Sequence, residues 1–234
     1  MTIAPESQDG AGLAEGRRAR SDDQKRARAS AILGAAEALY LESPGQLPTA
    51  AEIAKRAGVA KGTVYLYYAT KEEVYLALLQ WRLGRWADSI VAAMRAHQGS
   101  LTREALIRAY IDYPVKHPVT LKLAALSSVV LEANVGEAAA VRFKLAQLER
   151  LKRLGLAASM KADALEPERA TQLFLHAYAY LVGIWQLSDP PAVCRKAFQT
   201  TPELAPLDLD FQAEAARGLE AIWAGALPSE TSGA

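Results

Sequence analysis

Apolar residues recur along this chain at helical rather than strand spacing. Ile32, Leu33, Ala36, Leu39 and Tyr40 follow the i, i+1, i+4, i+7, i+8 pattern of one helical face, and Pro44-Gly45 stops it. Ser21-Asp22-Asp23-Gln24 has the form of a capping box with acids in the first turn, which predicts that the first helix begins there. Ahead of it, residues 1–20 are expected to be a disordered tail, with glycines at 10, 12 and 16 and a basic end at Arg17, Arg18 and Arg20. Thr49 is placed to cap a second helix from Ala50 to about Arg56, and Gly58 supplies a turn residue free to take positive φ. A third helix is predicted from about Lys61 to Tyr68. Thr70, with Glu72 and Glu73 behind it, caps a fourth that extends to about His97. Further helices are predicted over roughly 101–113, 117–134, 136–160, 167–187 and 208–226. The stretch 188–207 is expected to be mostly loop, with room for a short helical turn around Cys194.

The prolines fall at the joints of this pattern, near 44–48, 114–118, 190–191 and 202–206, and the abundant alanine favours helix. The prediction is an all-α chain. Its expected parts are a tail over 1–20, a helical head over 21–70, a helical body over 71–227 and a second disordered tail over 228–234. With 234 residues, 51% of them hydrophobic, the chain can bury a sizeable core. A net charge of +1 excludes a uniformly basic nucleic-acid coat, so any basic surface has to be local. The single cysteine, Cys194, excludes an internal disulfide framework and fits a reducing compartment. The first twenty residues lack an apolar signal-peptide core, and the apolar run 173–187 is short for a membrane span and carries His176. A soluble, cytoplasmic protein with no membrane partner is expected.

Candidate chemistry concentrates in "TAAEIAKRAGVAKGTVYLYYATKEEV", residues 49–74. Residues 50–69 have the spacing of a helix-turn-helix: Ala54 is small at a helix crossing, Gly58 sits in the turn, and Ile53 and Val64 fill the space between the helices. A buried helical hairpin has the same spacing. On a helical wheel Val64 and Tyr68 face the first two helices and Tyr67 lies at the edge of that face. Gly62 and Leu66 point away from it, flanked by Thr63 and Tyr65. A glycine beside an outward leucine permits close approach to a groove and contact with a thymine methyl. Thr63 and Tyr65 can donate to phosphates, Lys61 stands where recognition helices meet base edges, and Lys71 stands at a helix start suited to phosphate. Thr49 can serve as cap and phosphate contact together.

From "ILGAAEALY" through "TAAEIAKRAGVAKGTVYLYYATKEEV", roughly residues 25 to 80, the chain resembles the DNA-binding head of the tetracycline-repressor (TetR) family of bacterial regulators. Two positions depart from the family pattern. Ala60 stands where serine is common, which weakens the cap of the third helix, and Tyr68 stands in place of phenylalanine. The resemblance implies a homodimeric transcriptional regulator, a repressor that binds a palindromic double-stranded operator and senses a small-molecule effector. It implies DNA contacts by Thr49, Lys61, Gly62, Thr63, Tyr65, Leu66, Tyr67 and Lys71. Lys25, Arg26, Arg28 and the tail arginines would either add an arm along the DNA or form a solvated tail.

In the body, Ala170, Leu173, Phe174, Ala177, Leu181 and Ile184 share one helical face, and Phe211, Ala215, Leu219, Ile222 and Trp223 share another. Periodicity establishes only that these faces are buried; the resemblance implies that the last two helices pair in a dimer, which would place Phe211, Ala215, Leu219, Ile222 and Trp223 at the interface. Tyr110, Tyr113, His117, His176, Tyr178 and Trp185 are polar-tipped or aromatic residues that could line an effector pocket or simply pack in the core. No catalytic, cofactor or metal motif is present: the three histidines are scattered, and there is no Cys-x-x-Cys, phosphate loop or nucleophile elbow. The competing expectation is a helical small-molecule carrier without DNA binding.

Overall fold

The computed structural model describes residues 9–43 and 45–229, with side chains from residue 23 onward. The expectations for residues 1–8 and 230–234 lie outside the described residues. The chain divides into two compact units, one through Val74 and one from Tyr75. All regular structure among the described residues is helical.

The first unit holds α1 (Asp9–Glu42), α2 (Ala50–Ala57) and α3 (Lys61–Tyr67). Helix α1 does not start at Ser21. It is already helical at Asp9, so residues 9–20 are helix rather than disordered tail, and the Ser21–Gln24 sequence lies inside it. No proline stands between Pro5 and Pro44 to break this run, and its alanines and arginines favour continuation, against the opposing preference of Gly10, Gly12 and Gly16. Ile32, Ala36, Tyr40, Ile53, Ala54 and Val64 form the buried centre of the unit. On its surface Arg56 donates two hydrogen bonds to the Glu42 carboxylate, at 2.8 and 2.7 Å, tying α2 to the end of α1. The guanidinium holds the Glu42 carboxyl below its ordinary range.

Helix α4 (Lys71–Ala96) crosses the division between the units. The second unit continues with α5 (Arg103–Lys116), α6 (Val119–Leu126), a π-helical turn (Ser127–Leu131) and a 3-10 turn (Glu132–Asn134). Then follow α7 (Glu137–Ser159), α8 (Pro167–Ser188), α9 (Ala192–Thr200), a 3-10 stretch (Pro202–Leu207) and α10 (Phe211–Trp223). Caps set the boundaries where the sequence offers them. Thr102 accepts from the Ala105 N–H, Asp210 accepts from the Ala213 N–H, and Pro167 opens α8 at a position that needs no N–H. Two expectations fail. The 117–134 helix stops at Leu126 and passes into the π turn, where Ser127 donates to Glu132 at 2.7 Å and Asn134 donates back to the Val130 carbonyl at 2.8 Å. The expected loop 188–207 is mostly helical, because Pro191 can open a helix and Ala192–Thr200 contains nothing that breaks one.

An aromatic chain runs through the core of this unit. Trp86 packs 4.9 Å from Tyr110, Tyr110 stacks 5.8 Å from Phe174, and Phe174 meets Trp223 edge-on at 4.9 Å. Its polar ends are satisfied: the Trp86 indole donates to the Tyr110 carbonyl, and the Tyr110 hydroxyl donates to the Phe174 carbonyl. Burial pushes the Tyr110 hydroxyl well above its ordinary range, so it stays a donor.

This core covers three of the five residues expected at the dimer interface. Ala215, Leu219 and Trp223 have no exposed surface within the single chain. They face α5 and α8 of their own protomer. Phe211 meets Trp185 edge-on at 5.0 Å, and Ile222 is partly covered. The apolar stripe of α10 is therefore the inner face of the helix. Its periodicity correctly marks burial, and the covering partner is the same chain.

Candidate nucleic-acid interface

The helix-turn-helix is fixed by three local devices. Thr49 and Glu52 form a reciprocal capping box: the Thr49 N–H donates to the Glu52 carboxylate at 2.7 Å, and the Glu52 N–H donates to the Thr49 hydroxyl at 3.3 Å. Those hydrogen bonds from Thr49 hold the Glu52 carboxyl below its ordinary range. Gly58 takes φ 68° and ψ 30°, the left-handed conformation that closes α2, and its N–H donates to the Ala54 and Lys55 carbonyls. Thr70 accepts from the Glu73 N–H at 3.1 Å, and the Glu73 carboxylate accepts from the Ala69 N–H at 3.0 Å, which starts α4 directly after α3.

The N-cap of α3 is the weak joint. Ala60 makes no side-chain cap bond. Ala60→Ser is expected to stabilise the first unit by about 1 kcal/mol, since a serine here can accept from the exposed N–H groups of the first turn. Chemical denaturation checks this; an unchanged midpoint would show that those groups gain nothing from a cap.

Val64 is 1% exposed and locks α3 onto the core. The opposite face is open: Lys61 and Gly62 are exposed, and Leu66 is 85% exposed, while Thr63 and Tyr67 are half-buried. The Lys61 ammonium lies 5.8 Å from the centre of the Tyr65 ring, a cation–π approach that groups its charge with the phenol. Tyr68 closes the helix with extended backbone, φ −141° and ψ 122°, its ring 6.4 Å from that of Tyr67. Burial, with Tyr67 adding to it, raises the Tyr68 hydroxyl. Beside the open face lies a concavity whose lining includes Lys25, Arg28, Thr63, Leu66 and Tyr67 and no carboxylate. Thus α1 contributes two cations to the surface of α3. Arg26 is directed elsewhere and pairs with Asp23 at 2.7 Å. Lys71 is half-buried, its ammonium 3.9 Å from Glu72. The surface presents ammonium donors, hydroxyl donors and one apolar tip around a glycine that leaves room for close approach.

In the second unit, a narrow cavity of about 40 Å3 lies between α4 and α7. Tyr110 and Tyr178 line it, together with Trp86, Arg150, Leu151 and Leu154. Burial pushes the Tyr178 hydroxyl up to about 12. The other residues considered for a pocket lie elsewhere. Tyr113 and His117 pack against each other with tilted rings at 4.5 Å, Trp185 packs on Phe211, and His176 is exposed. The sequence pattern did not single out Trp86 or Arg150.

Two family models cover nearly all of the described chain. Residues 32–78 match the model for bacterial regulatory proteins of the tetR family, and residues 80–230 match that for the tetracyclin repressor-like C-terminal domain. The chain belongs to the TetR family of transcriptional regulators. Its relatives are regulators rather than enzymes. This TetR-family chain is 30% identical over 84 residues to the fatty acid metabolism regulator protein of Bacillus subtilis; that match spans 36% of the chain and 43% of the relative. Two solved structures share the fold over most of its length. The fatty acid degradation regulator FadR from Bacillus halodurans is 20% identical with a TM-score of 0.53, covering 83% of this chain and 94% of that one. The Bacillus subtilis regulator FadR, solved in complex with stearoyl-CoA, is 19% identical with a TM-score of 0.50, covering 84% and 98%. No described helix of this TetR-family chain is long and apolar enough to cross a membrane.

Proposed function

We propose that the protein is a ligand-responsive repressor that binds a palindromic operator as a homodimer. The observation that carries this is the open face of α3, where Lys61, Gly62, Tyr65 and Leu66 are exposed beside Lys25 and Arg28 of α1. In this proposal α3 lies in the major groove. Lys61 meets a base edge, Leu66 a thymine methyl, and Thr49, Thr63, Tyr65, Tyr67 and Lys71 the backbone.

Dimerisation is assigned to the outer face of α8. Leu175, Ala179, Gly183 and Leu187 fall four residues apart, Leu175 and Leu187 being 45% and 61% exposed. Such a stripe of leucines and small residues lets two copies approach closely. Leu175→Glu is expected to dissociate the dimer while leaving the protomer folded, because the site is outside the core. Sedimentation of an unchanged dimer would remove α8 from the interface.

The effector is assigned to the α4–α7 cavity. Stearoyl-CoA in the Bacillus subtilis neighbour supports an effector with an apolar chain. Because α4 also carries Lys71 at its start, a ligand that selects one position of α4 can bias the DNA-binding head. A nearly complete switch requires about 5.5 kcal/mol of differential affinity between the two states. A carrier that never binds DNA would retain the cavity but show no salt-dependent preference between duplexes. Gel-shift titration of selected genomic fragments, with and without candidate effectors, separates the two.

A further inference from the structure

We propose that the dimer face is two helices wide, and that the outer stripe of α7 packs antiparallel against its own copy in a second protomer. The assignment rests on the homodimer proposed above and adds a second helix and a register to it.

Val141, Leu145, Leu148 and Leu156 recur at helical spacing along one side of α7, each about half exposed, and Met160 continues the row just past its end. The opposite side of α7, with Phe143, Leu154 and Ala158, is buried within the protomer. Scattered surface leucines are ordinary, but a continuous apolar row about 28 Å long marks a contact surface. Continuity with α8 places the second copy. Gly155 leaves no room for a Cβ against Thr171, so α7 and α8 touch closely at that level. Arg150 and Tyr178 share one cavity wall further along, so the two helices run antiparallel. Ten residues back from Gly155 along α7 stands Leu145, and ten forward from Thr171 along α8 stands Leu181, the middle of the Leu175–Leu187 stripe. One two-fold axis at this level therefore serves both stripes. With the axis between Lys144 and Leu145, Leu148 of one copy meets Val141 of the other, and Lys152 meets Glu137. Lys152 and Glu137 are exposed and make no ion pair among the described residues. Lys144, the cation nearest the axis, is already neutralised by Glu132 at 2.7 Å. The surface is thus self-complementary: apolar at its centre, with opposite charges at equal distances on either side.

Sedimentation of the full-length protein tests this. Leu145→Glu is expected to raise the dimer dissociation constant about 100-fold or more, since it brings two carboxylates together on the axis. The separated protomer should stay folded, because the site lies outside the core; circular dichroism checks that. Glu137→Lys and Lys152→Glu are each expected to weaken the dimer about 10-fold, and the double variant to restore it, because the exchanged pair keeps the same geometry. Thiol cross-linking reads the register itself. With Cys194, the one native cysteine, changed to serine, Leu145→Cys should give a disulfide-linked dimer on mild oxidation. Leu156→Cys, which this register sets about 35 Å from its copy, should not. An undisturbed dimer for Leu145→Glu, no restoration by the double variant, or equal cross-linking at both positions would overturn the assignment. Leu175→Glu keeps the two readings apart. If it dissociates the dimer and Leu145→Glu does not, α8 forms the interface without α7. If neither does, the homodimer proposed for this face fails as well.

Discussion

Trp223→Ala is expected to destabilise the second unit by about 3–5 kcal/mol. The side chain is wholly buried, and its ring meets Phe174 at 4.9 Å in the aromatic chain that reaches Tyr110 and Trp86. Removing it leaves a hole bounded by helices α5, α8 and α10, which are held by several other contacts and cannot simply collapse. Tyr180 donates to the Glu214 carbonyl at 2.7 Å, and Arg103 bonds the Ala224 carbonyl at 3.1 Å, so α10 is pinned along its length. Denaturant unfolding measures the loss. It also decides what α10 does. If α10 were the dimer contact, Trp223→Ala would weaken association and leave the monomer intact. Burial within the chain predicts the reverse: a lowered unfolding midpoint at all protein concentrations, and no specific rise in monomer. Leu175→Glu should give the opposite pattern. A Trp223→Ala protein with an unchanged midpoint would contradict the packing described here.

Lys61→Ala is expected to cost about 1–3 kcal/mol per half-site on the operator, and about twice that for a symmetric dimer. Lys61 is exposed at the start of α3, beside Gly62 and over the Tyr65 ring. That position favours a base edge. The loss should therefore be larger on the operator than on a scrambled duplex, and preference should relax at one symmetric base pair. Lys71→Ala serves as the contrast. Its ammonium lies at the beginning of α4, next to a start already capped by Thr70 and Glu73. It should weaken both duplexes alike and lower the salt slope by about one unit per protomer. Equal losses for both variants on all duplexes would reduce Lys61 to a phosphate anchor.

The head was legible from sequence because its determinants are local. Thr49 followed three residues later by Glu52, Gly58 at the turn and Thr70 before Glu73 each act through bonds within a few positions. The body was less legible because its determinants are not local. The period of Ala215, Leu219 and Trp223 marks a buried face without saying which chain buries it. Tyr110 and Tyr178 stood out as polar-tipped aromatics and do reach the cavity, whereas Trp185 has the same character and packs on Phe211. Arg150 lies in "QLERLKR", where its spacing matches that of any solvated helical charge. Only its placement opposite α4 sets it apart. The start of α1 is a different case: the helix runs through Gly10, Gly12 and Gly16, residues that disfavour it, and past the Ser21 capping sequence, and nothing local to those residues explains it.

Sequence-specific DNA recognition by the α3 surface is tested by selection followed by salt titration. Full-length protein is used to select fragments from genomic DNA. A selected duplex and a scrambled one of the same composition are then titrated across a range of salt concentrations. The selected site is expected to contain two symmetric half-sites and to bind at least about 10³-fold more tightly than the scrambled duplex at physiological salt. Both duplexes should weaken as salt rises. Equal affinity for the two duplexes, or binding insensitive to salt, would contradict it.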